Sequence, residues 1–277
     1  MDSPLITVCT VNYNSSEFIG NMLFSLSRLT QSRYRVIIRD NNSKKKDFNK
    51  LRTIIEKNNY NNVELYRVET SATGSLAHGE ALNELVSKIN TKYGVIIDAD
   101  AAFLYKNWDQ VLISKINEKN PVYGTQADIG GGKPEDFPLI FAVMFLTNII
   151  RNLNINFKPD KNGGLKDTGW ELREKCLSTR LSACLLYSFN TRLFKNGPFS
   201  SVVCSEYYLS DKAEGYIFAS HFGRGSSPKS KKLVQIDTKG NVFLRFLNKM
   251  LQFSNIIKWQ RDKSKWIKIC YDIIVKQ

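Results

Sequence analysis

The first hundred residues switch repeatedly between strand-like and helix-like periodicity, and this constrains the chain more than any other feature. Leu5–Val11 is a short apolar, β-branched run that reads as a buried strand. Asn14-Ser15-Ser16-Glu17 follows with side chains suited to capping a helix start. Phe18, Met22, Leu23, Leu26 and Leu29 then recur at helical spacing. Tyr34–Arg39, Val63–Val68 and Val95-Ile96-Ile97 read as three more strands. Phe48, Leu51, Ile54 and Ile55 mark a helix between them, as do Ala81, Leu82, Leu85, Val86 and Ile89. Such alternation predicts an α/β fold with a mostly parallel sheet flanked by helices. Right-handed crossovers place the strand C-termini along one edge, and ligands bind outside it. Three polar clusters fall at that edge: Thr10-Val11-Asn12-Tyr13, Asp40-Asn41-Asn42 and Asp98-Ala99-Asp100.

The second half is less regular. Val122–Gln126, Leu139–Leu146, Ala183–Ser188 and Gly215–Ser220 read as strands, with loops at Gly130–Lys133 and Phe157–Lys166. Asp167-Thr168-Gly169-Trp170-Glu171 opens a short helix with an acid at its positive end. The segment from Asn241 to Ile274 is helical in pattern.

Charge separates the tail from the body. The 277 residues carry 40 Lys+Arg and 26 Asp+Glu, a formal +14 that calls for an anionic partner. Residues 229–277 hold twelve Lys/Arg and three Asp/Glu, so +9 of the excess lies there. Residues 241–277 interleave Phe243, Phe246, Phe253, Trp259, Trp266 and Tyr271 with eight Lys/Arg. A basic amphipathic helix of this kind fits an anionic membrane surface, and equally a helix packed on the body with a solvated basic face. At 42% apolar residues the chain is not disordered. The start, Met1-Asp2-Ser3-Pro4, has no signal-peptide character, and the longest apolar stretch, Phe137–Phe145, is about half of what a membrane span needs. Five cysteines without CxxC spacing argue against a disulfide framework or zinc site, and for buried thiols such as Cys9 in a reducing cytoplasm.

Asp98-Ala99-Asp100 carries the chemical signal. Two carboxylates two residues apart, just after a buried strand, suit a hard divalent cation such as Mg²⁺ that also takes substrate phosphates. The stretch from Leu5 to Leu104 resembles the nucleotide-sugar half of a family 2 glycosyltransferase of the GT-A fold. The matching pieces are Val8–Asn14, Val36–Ser43, His78-Gly79-Glu80-Ala81-Leu82-Asn83 and Tyr93–Asp100, in that order.

The resemblance implies a fold, an activity and a set of roles. Residues 1–228 would form the catalytic domain, with 1–105 holding the donor and 106–228 the acceptor, and 229–277 would be a helical extension. Thr10, Val11, Asn12 and Tyr13 would line the base and ribose, and Asp40 would accept a hydrogen bond from a uracil-like N–H. His78 would lie near the ribose or diphosphate. Asp98 would touch the ribose, or the metal through water, Ala99 would border the donor, and Asp100 would bind Mn²⁺ or Mg²⁺ directly. Asp167 resembles the family's catalytic base, which takes the proton of the attacking sugar hydroxyl. The family's usual Glu-Asp pair is absent there, and Glu171 and Glu206 are reserve candidates. His221, before Phe222-Gly223-Arg224-Gly225, resembles the late metal-binding histidine, and Arg224 would face the departing diphosphate.

The implied reaction is inverting sugar transfer from a nucleotide-sugar, UDP-linked donor to a glycan or lipid-linked glycan. It would take place in the cytoplasm or on the inner face of the membrane, with no nucleic-acid partner. A nucleotidyltransferase is the alternative enzyme, although Asn12–Ser16 replaces its glycine-rich phosphate loop. A nucleic-acid binder driven by the basic tail is the non-enzymatic alternative.

Overall fold

The computed structural model describes residues 3–160, 166–223 and 242–277. The first half alternates β1 (Ile6–Asn12), α1 (Ser16–Leu29), β2 (Tyr34–Asn41), α2 (Lys45–Lys57), β3 (Val63–Val68), α3 (Gly74–Ser87) and β4 (Tyr93–Ile97). The second half adds β5 (Ala101–Phe103), α4 (Trp108–Ile113), β6 (Val122–Thr125), β7 (Ala142–Leu146), α5 (Thr147–Asn152) and α6 (Trp170–Ser178). It closes with β8 (Ala183–Asn190), β9 (Ser205–Tyr208), β10 (Ala219–His221) and the long α7 (Val242–Ile274).

The ten strands form one sheet in the order β3-β2-β1-β4-β7-β6-β8-β9-β10-β5. The pairs among β3, β2, β1 and β4 are parallel, as the helical crossovers require. Beyond β4 the sheet is mixed. β7 runs antiparallel to β4 and β6, β8 parallel to β6, and β9, β10 and β5 follow in antiparallel pairs.

Strand residues alternate between two cores. Ile6 and Val8 of β1 face one core with Phe18 and Leu26 of α1, Leu51 of α2 and Trp266 of α7. Cys9 and Val11 face the other with Leu82 and Leu85 of α3, Ile150 of α5 and Leu172 of α6. Each face therefore needs apolar residues, which is why β1 and β4 are buried along their whole length. The five cysteines, all among the described residues, form no disulfide, and burial pushes the Cys9 thiol up to about 12.

Three local expectations change. Ser15 is the N-cap of α1 but makes no side-chain capping bond. Asp47 of α2 does that work instead, accepting from the Ser16 amide at 3.3 Å and hydroxyl at 2.6 Å. The strand expected over Gly215–Ser220 is Ala219–His221, so His221 lies inside the strand and not after it. Asp167 does not cap α6, because Gly169 is the N-cap, at a positive φ of 80°.

From residue 253 onward α7 has a buried and an exposed face. Trp266 is 0% exposed, its indole N–H donates to Ser220 Oγ at 2.9 Å, and its ring lies 5.8–6.2 Å from those of Phe18, Phe199 and Phe222. Cys270 and Ile274 extend the same stripe. This part of the helix therefore belongs to the core. Trp266→Ala is expected to cost about 3–5 kcal/mol in urea unfolding, because it empties an indole-sized space among rigid rings. Trp266→Phe, which keeps most of the ring and loses the Ser220 bond, should lose far less, about 1 kcal/mol.

Candidate active site

The site forms where β4 ends. The Ala101 amide donates to Asp98 O at 3.0 Å, closing a turn that turns the chain from β4 into β5, and the Asp98 amide donates to Phe141 O at 2.8 Å. β5 pairs with β10 in the register Ala101↔His221. One further backbone bond, Phe222 N to Asp100 O at 2.9 Å, joins the end of β10 to the same turn. These bonds bring His221 onto the two acids from more than a hundred residues away.

His221 Nε2 lies 3.2 Å from Asp100 Oδ1 and 3.6 Å from Asp98 Oδ2. One ligand atom from each of Asp98, Asp100 and His221 falls within 4.8 Å of the others. His78, near the start of α3, sits on the opposite side, with Nε2 3.5 Å from Asp98 Oδ1. Both histidines of the chain thus converge on Asp98. Asp98 Oδ1 is buried and makes no hydrogen bond. Burial pushes the Asp98 carboxyl above its ordinary range, Asp100 adds to the rise, and the two histidines oppose it. Burial works against a charged His221, but Asp100, Asp98 and Asp128 outweigh it and raise its pKa. The cluster thus attracts positive charge. Two carboxylates and an imidazole, with a buried oxygen free of hydrogen bonds, fit a hard or borderline divalent cation.

Asp128 escaped the sequence reading. It follows β6 at the start of a loop, where an acid looks like an ordinary turn residue. In the fold it accepts from Ser188 Oγ at 2.6 Å, Ser205 Oγ at 2.8 Å and Asn190 Nδ2 at 2.6 Å. It therefore ties β8 and β9 together beside His221.

The donor-side residues separate by exposure. Thr10 and Asn12 are fully buried and Val11 nearly so, while Ala99 is half-buried. Tyr13, 52% exposed, carries most of the surface of this group. Asp40 is 0% exposed and bonds inward: Oδ2 accepts from Asn12 Nδ2 at 2.7 Å, and Oδ1 from the Ser43 amide at 3.0 Å. Here it offers no surface to a base. It holds the β1 and β2 ends together, at paired positions Asn12↔Asp40.

Asp167 reaches the site through a chain of close packing. Gly79 of α3 lies so near the backbone at 157–158 that a Cβ there would come within 2.6 Å of Lys158 Cα. Phe157 N donates to Asn83 Oδ1, Gly169 N to Phe157 O and Thr168 Oγ1 to Ser75 O. The segment bearing Asp167 is thereby stitched to the same helix that carries His78. Asp167 Oδ2 meets Lys133 Nζ at 3.0 Å. Burial pushes Asp167 up, but Lys133 and the Thr168 amide overcome it and hold the carboxyl below the usual range.

The reserve acids serve the framework. Glu206 is fully buried, accepting from the Phe199 amide at 2.7 Å and the Tyr208 hydroxyl at 2.7 Å. Glu171 accepts from the Asn156 amide and pairs with Lys175 at 2.7 Å. Arg224 and residues 225–241 lie outside the described residues, as do 161–165.

The sequence matches the model of glycosyl transferase family 2 over residues 7–176, from β1 through the Asp98–Asp100 turn into α6. No curated protein matches the chain in sequence. Among solved structures the chain is similar to the mannosyltransferase PcManGT from Pyrobaculum calidifontis in complex with GDP-Man and Mn²⁺. Identity is 15% and the TM-score 0.53, over 73% of this chain and 60% of that one. It is also similar to residues 1–349 of TarS from S. aureus in complex with UDP-GlcNAc, at 18% identity and a TM-score of 0.44, over 55% and 48% of the two chains. A third is glucosyl-3-phosphoglycerate synthase from Mycobacterium tuberculosis in complex with Mn²⁺, UDP and glucosyl-3-phosphoglycerate, at 12% and 0.49, over 67% and 70%. The chain thus spans 60% of the length of the mannosyltransferase and about half that of TarS 1–349. At such low identity the mannosyltransferase establishes likeness of fold, which is the GT-A fold. With the family model covering more than half of its length, the chain belongs to glycosyl transferase family 2.

Proposed function

We propose that this protein transfers a sugar, with inversion, from a UDP-linked nucleotide-sugar to a hydroxyl of a glycan or lipid-linked glycan. The convergence of Asp98, Asp100 and His221 at the end of β4 carries the reading. Asp100 and His221 would hold a divalent cation, Mn²⁺ or Mg²⁺, with Asp98 beside it. When bound, that cation supplies positive charge for the donor diphosphate. The mannosyltransferase of similar fold was solved with GDP-Man and Mn²⁺, which supports this choice.

The chain's own residues would do the rest. Tyr13 offers an aromatic face to the base at the sheet edge. Asn12 and Asp40 fix the backbone behind it. His78 borders the donor from α3. Asp167, ionised at neutral pH, accepts the proton of the acceptor hydroxyl as that oxygen attacks the anomeric carbon.

The exposed face of α7 supports a peripheral seat on an anionic membrane, on the cytoplasmic side. From residue 253 onward it presents Phe253, Ile257, Tyr271 and Val275 with Lys258, Arg261, Lys265 and Lys268, while Asp262 is buried and Asp272 half-buried. No described helix is long and apolar enough to cross a membrane.

Four outcomes test the reading. A panel of nucleotide-sugars should reveal a donor whose transfer stops with EDTA and returns with Mn²⁺. Asp100→Ala or His221→Ala should abolish the transfer that Mn²⁺ restores and weaken Mn²⁺ binding in the presence of UDP by on the order of tenfold or more. Transfer indifferent to EDTA would remove the metal from the reading. Asp167→Asn should lower kcat by about 10²–10⁴-fold while calorimetry shows UDP bound at least as tightly as before. Replacing Lys258, Arg261, Lys265 and Lys268 by Gln should weaken binding to phosphatidylserine vesicles by on the order of 10²–10³-fold. Unchanged sedimentation with vesicles, or a salt-steep shift of nucleic acid instead, would overturn the membrane seat.

A further inference from the structure

Lys133 stands between the two halves of the site. Its ammonium lies 3.0 Å from Asp167 Oδ2 and 5.3 Å from the centre of the Phe141 ring. Phe141 packs on His221, with ring centres 4.4 Å apart. The charge of Lys133 also reaches Asp98. One cation thus touches the candidate base and borders the acids proposed to face the donor diphosphate.

The loop around Lys133 is anchored at its base and open at its tip. Gln126 Nε2 donates to Glu135 O at 2.9 Å, and Glu135 Oε1 accepts from the Gly130 amide at 2.8 Å. Gly130 and Gly132 both hold positive φ, 73° and 77°, and no atom lies within 4 Å of where their Cβ atoms would be. That backbone conformation favours glycine, and the open space leaves the tip room to shift. The neighbouring lysines have partners of their own. Lys166 pairs with Glu174 at 3.2 Å and lies over Trp170, and Lys158 faces Glu80 at 3.9 Å. Among the described residues, Thr168 N and the Ser75 hydroxyl also bond Asp167 and carry no charge.

We propose that Lys133 is a donor-binding residue that neutralises Asp167 in the empty enzyme and moves onto the sugar-nucleotide diphosphate when the donor enters, releasing Asp167 to act as base. The proposal rests on the sugar-transfer reading above. The diphosphate is the stronger attractor because it presents several anionic oxygens where Asp167 presents one carboxylate. In the step itself the acceptor oxygen forms its bond to the anomeric carbon as the bond from that carbon to the phosphate oxygen breaks. The hydroxyl proton passes to Asp167, the electron pair leaves with the nucleoside diphosphate, and Lys133 stays protonated beside it. A single lysine thereby keeps the base masked until a leaving group is in place.

The test compares wild type with Lys133→Met and Lys133→Arg. Calorimetry with UDP and Mg²⁺ should show about tenfold weaker binding for Lys133→Met and near wild-type binding for Lys133→Arg. The Asp167 carboxyl, followed by ¹³C NMR, should titrate about 1 pH unit higher in wild type once UDP and Mg²⁺ are added, because its cation has left. In Lys133→Met it should already titrate higher without UDP and move little on its addition. With a productive donor, kcat of Lys133→Met should fall by about 10²-fold. Equal UDP affinity in wild type and Lys133→Met, or an equal shift of Asp167 in both, would overturn the role of Lys133 even if transfer proceeds. Absence of transfer from every donor in wild type would instead bring down the sugar-transfer reading, and this proposal with it.

Discussion

The antiparallel pairing of β10 with β5 is the constraint on which the candidate site depends. β5 is only three residues long and begins where the Asp98–Asp100 turn ends, so whatever pairs with it stands beside those acids. β10 brings His221 there, and the Phe222–Asp100 backbone bond fixes its end. Two strands of three residues are too short to hold such a position alone. β9 supports β10 on its other edge, and Trp266 supports it through Ser220, the residue before His221. The C-terminal helix is thus a wall of the catalytic half. Its distance in sequence from the acids hides that role.

A second assembly brings the Asp167 segment to the Asp98–Asp100 turn. α3 is the shared element. Gly79 and Asn83 receive the 156–158 segment, Ser75 receives Thr168, and His78 on the same helix faces Asp98. Close helix-to-backbone packing leaves little slack, which suits a reaction where an ångström of misplacement is costly. One helix thus joins the turn that bears Asp98 to the segment that bears Asp167.

Much of the first half was legible because its signals are local. Buried parallel strands must be apolar along much of their length, so β1, β2 and β4 announced themselves within a residue or two, while the edge strand β3, with Glu64 and Arg67 exposed, was marked by Val63, Leu65, Tyr66 and Val68; the polar ends of β1, β2 and β4 marked the ligand edge. The second half was harder for a physical reason. β9 reads Ser-Glu-Tyr-Tyr and looks like surface, yet it is wholly buried, with Glu206 satisfied by Phe199 and Tyr208 and Ser205 by Asp128. Polar residues satisfied by distant partners leave no periodic trace. β5 was too short to stand out, and Asp128 acquires its meaning only when Ser188, Asn190 and Ser205 meet around it. The acids after β4 and the late histidine were readable singly, but their meeting was visible only through the family resemblance.

The distribution of charge gives the site its character. The molecule is strongly cationic, and such a field draws anions toward it over roughly a Debye length, about 8–10 Å at ordinary salt. The end of β4 is the reverse, a partly buried group of carboxylates around two histidines. An anionic donor steered toward the protein would be repelled at the last step unless positive charge lay among those acids. Asp100 and Asp98, 3.2 and 3.6 Å from His221 Nε2, favour its protonated form, and a divalent cation would answer the same field more fully. Lys133 answers it from the rim. Under the proposed function, a negative pocket in a positive molecule ties donor to cation: the acids draw a cation by themselves, and the donor's phosphates are favourable at the end of β4 only beside it. That coupling distinguishes a phosphate site built on acids from one built on arginines, and it follows from the electrostatics of three side chains held by two short strands.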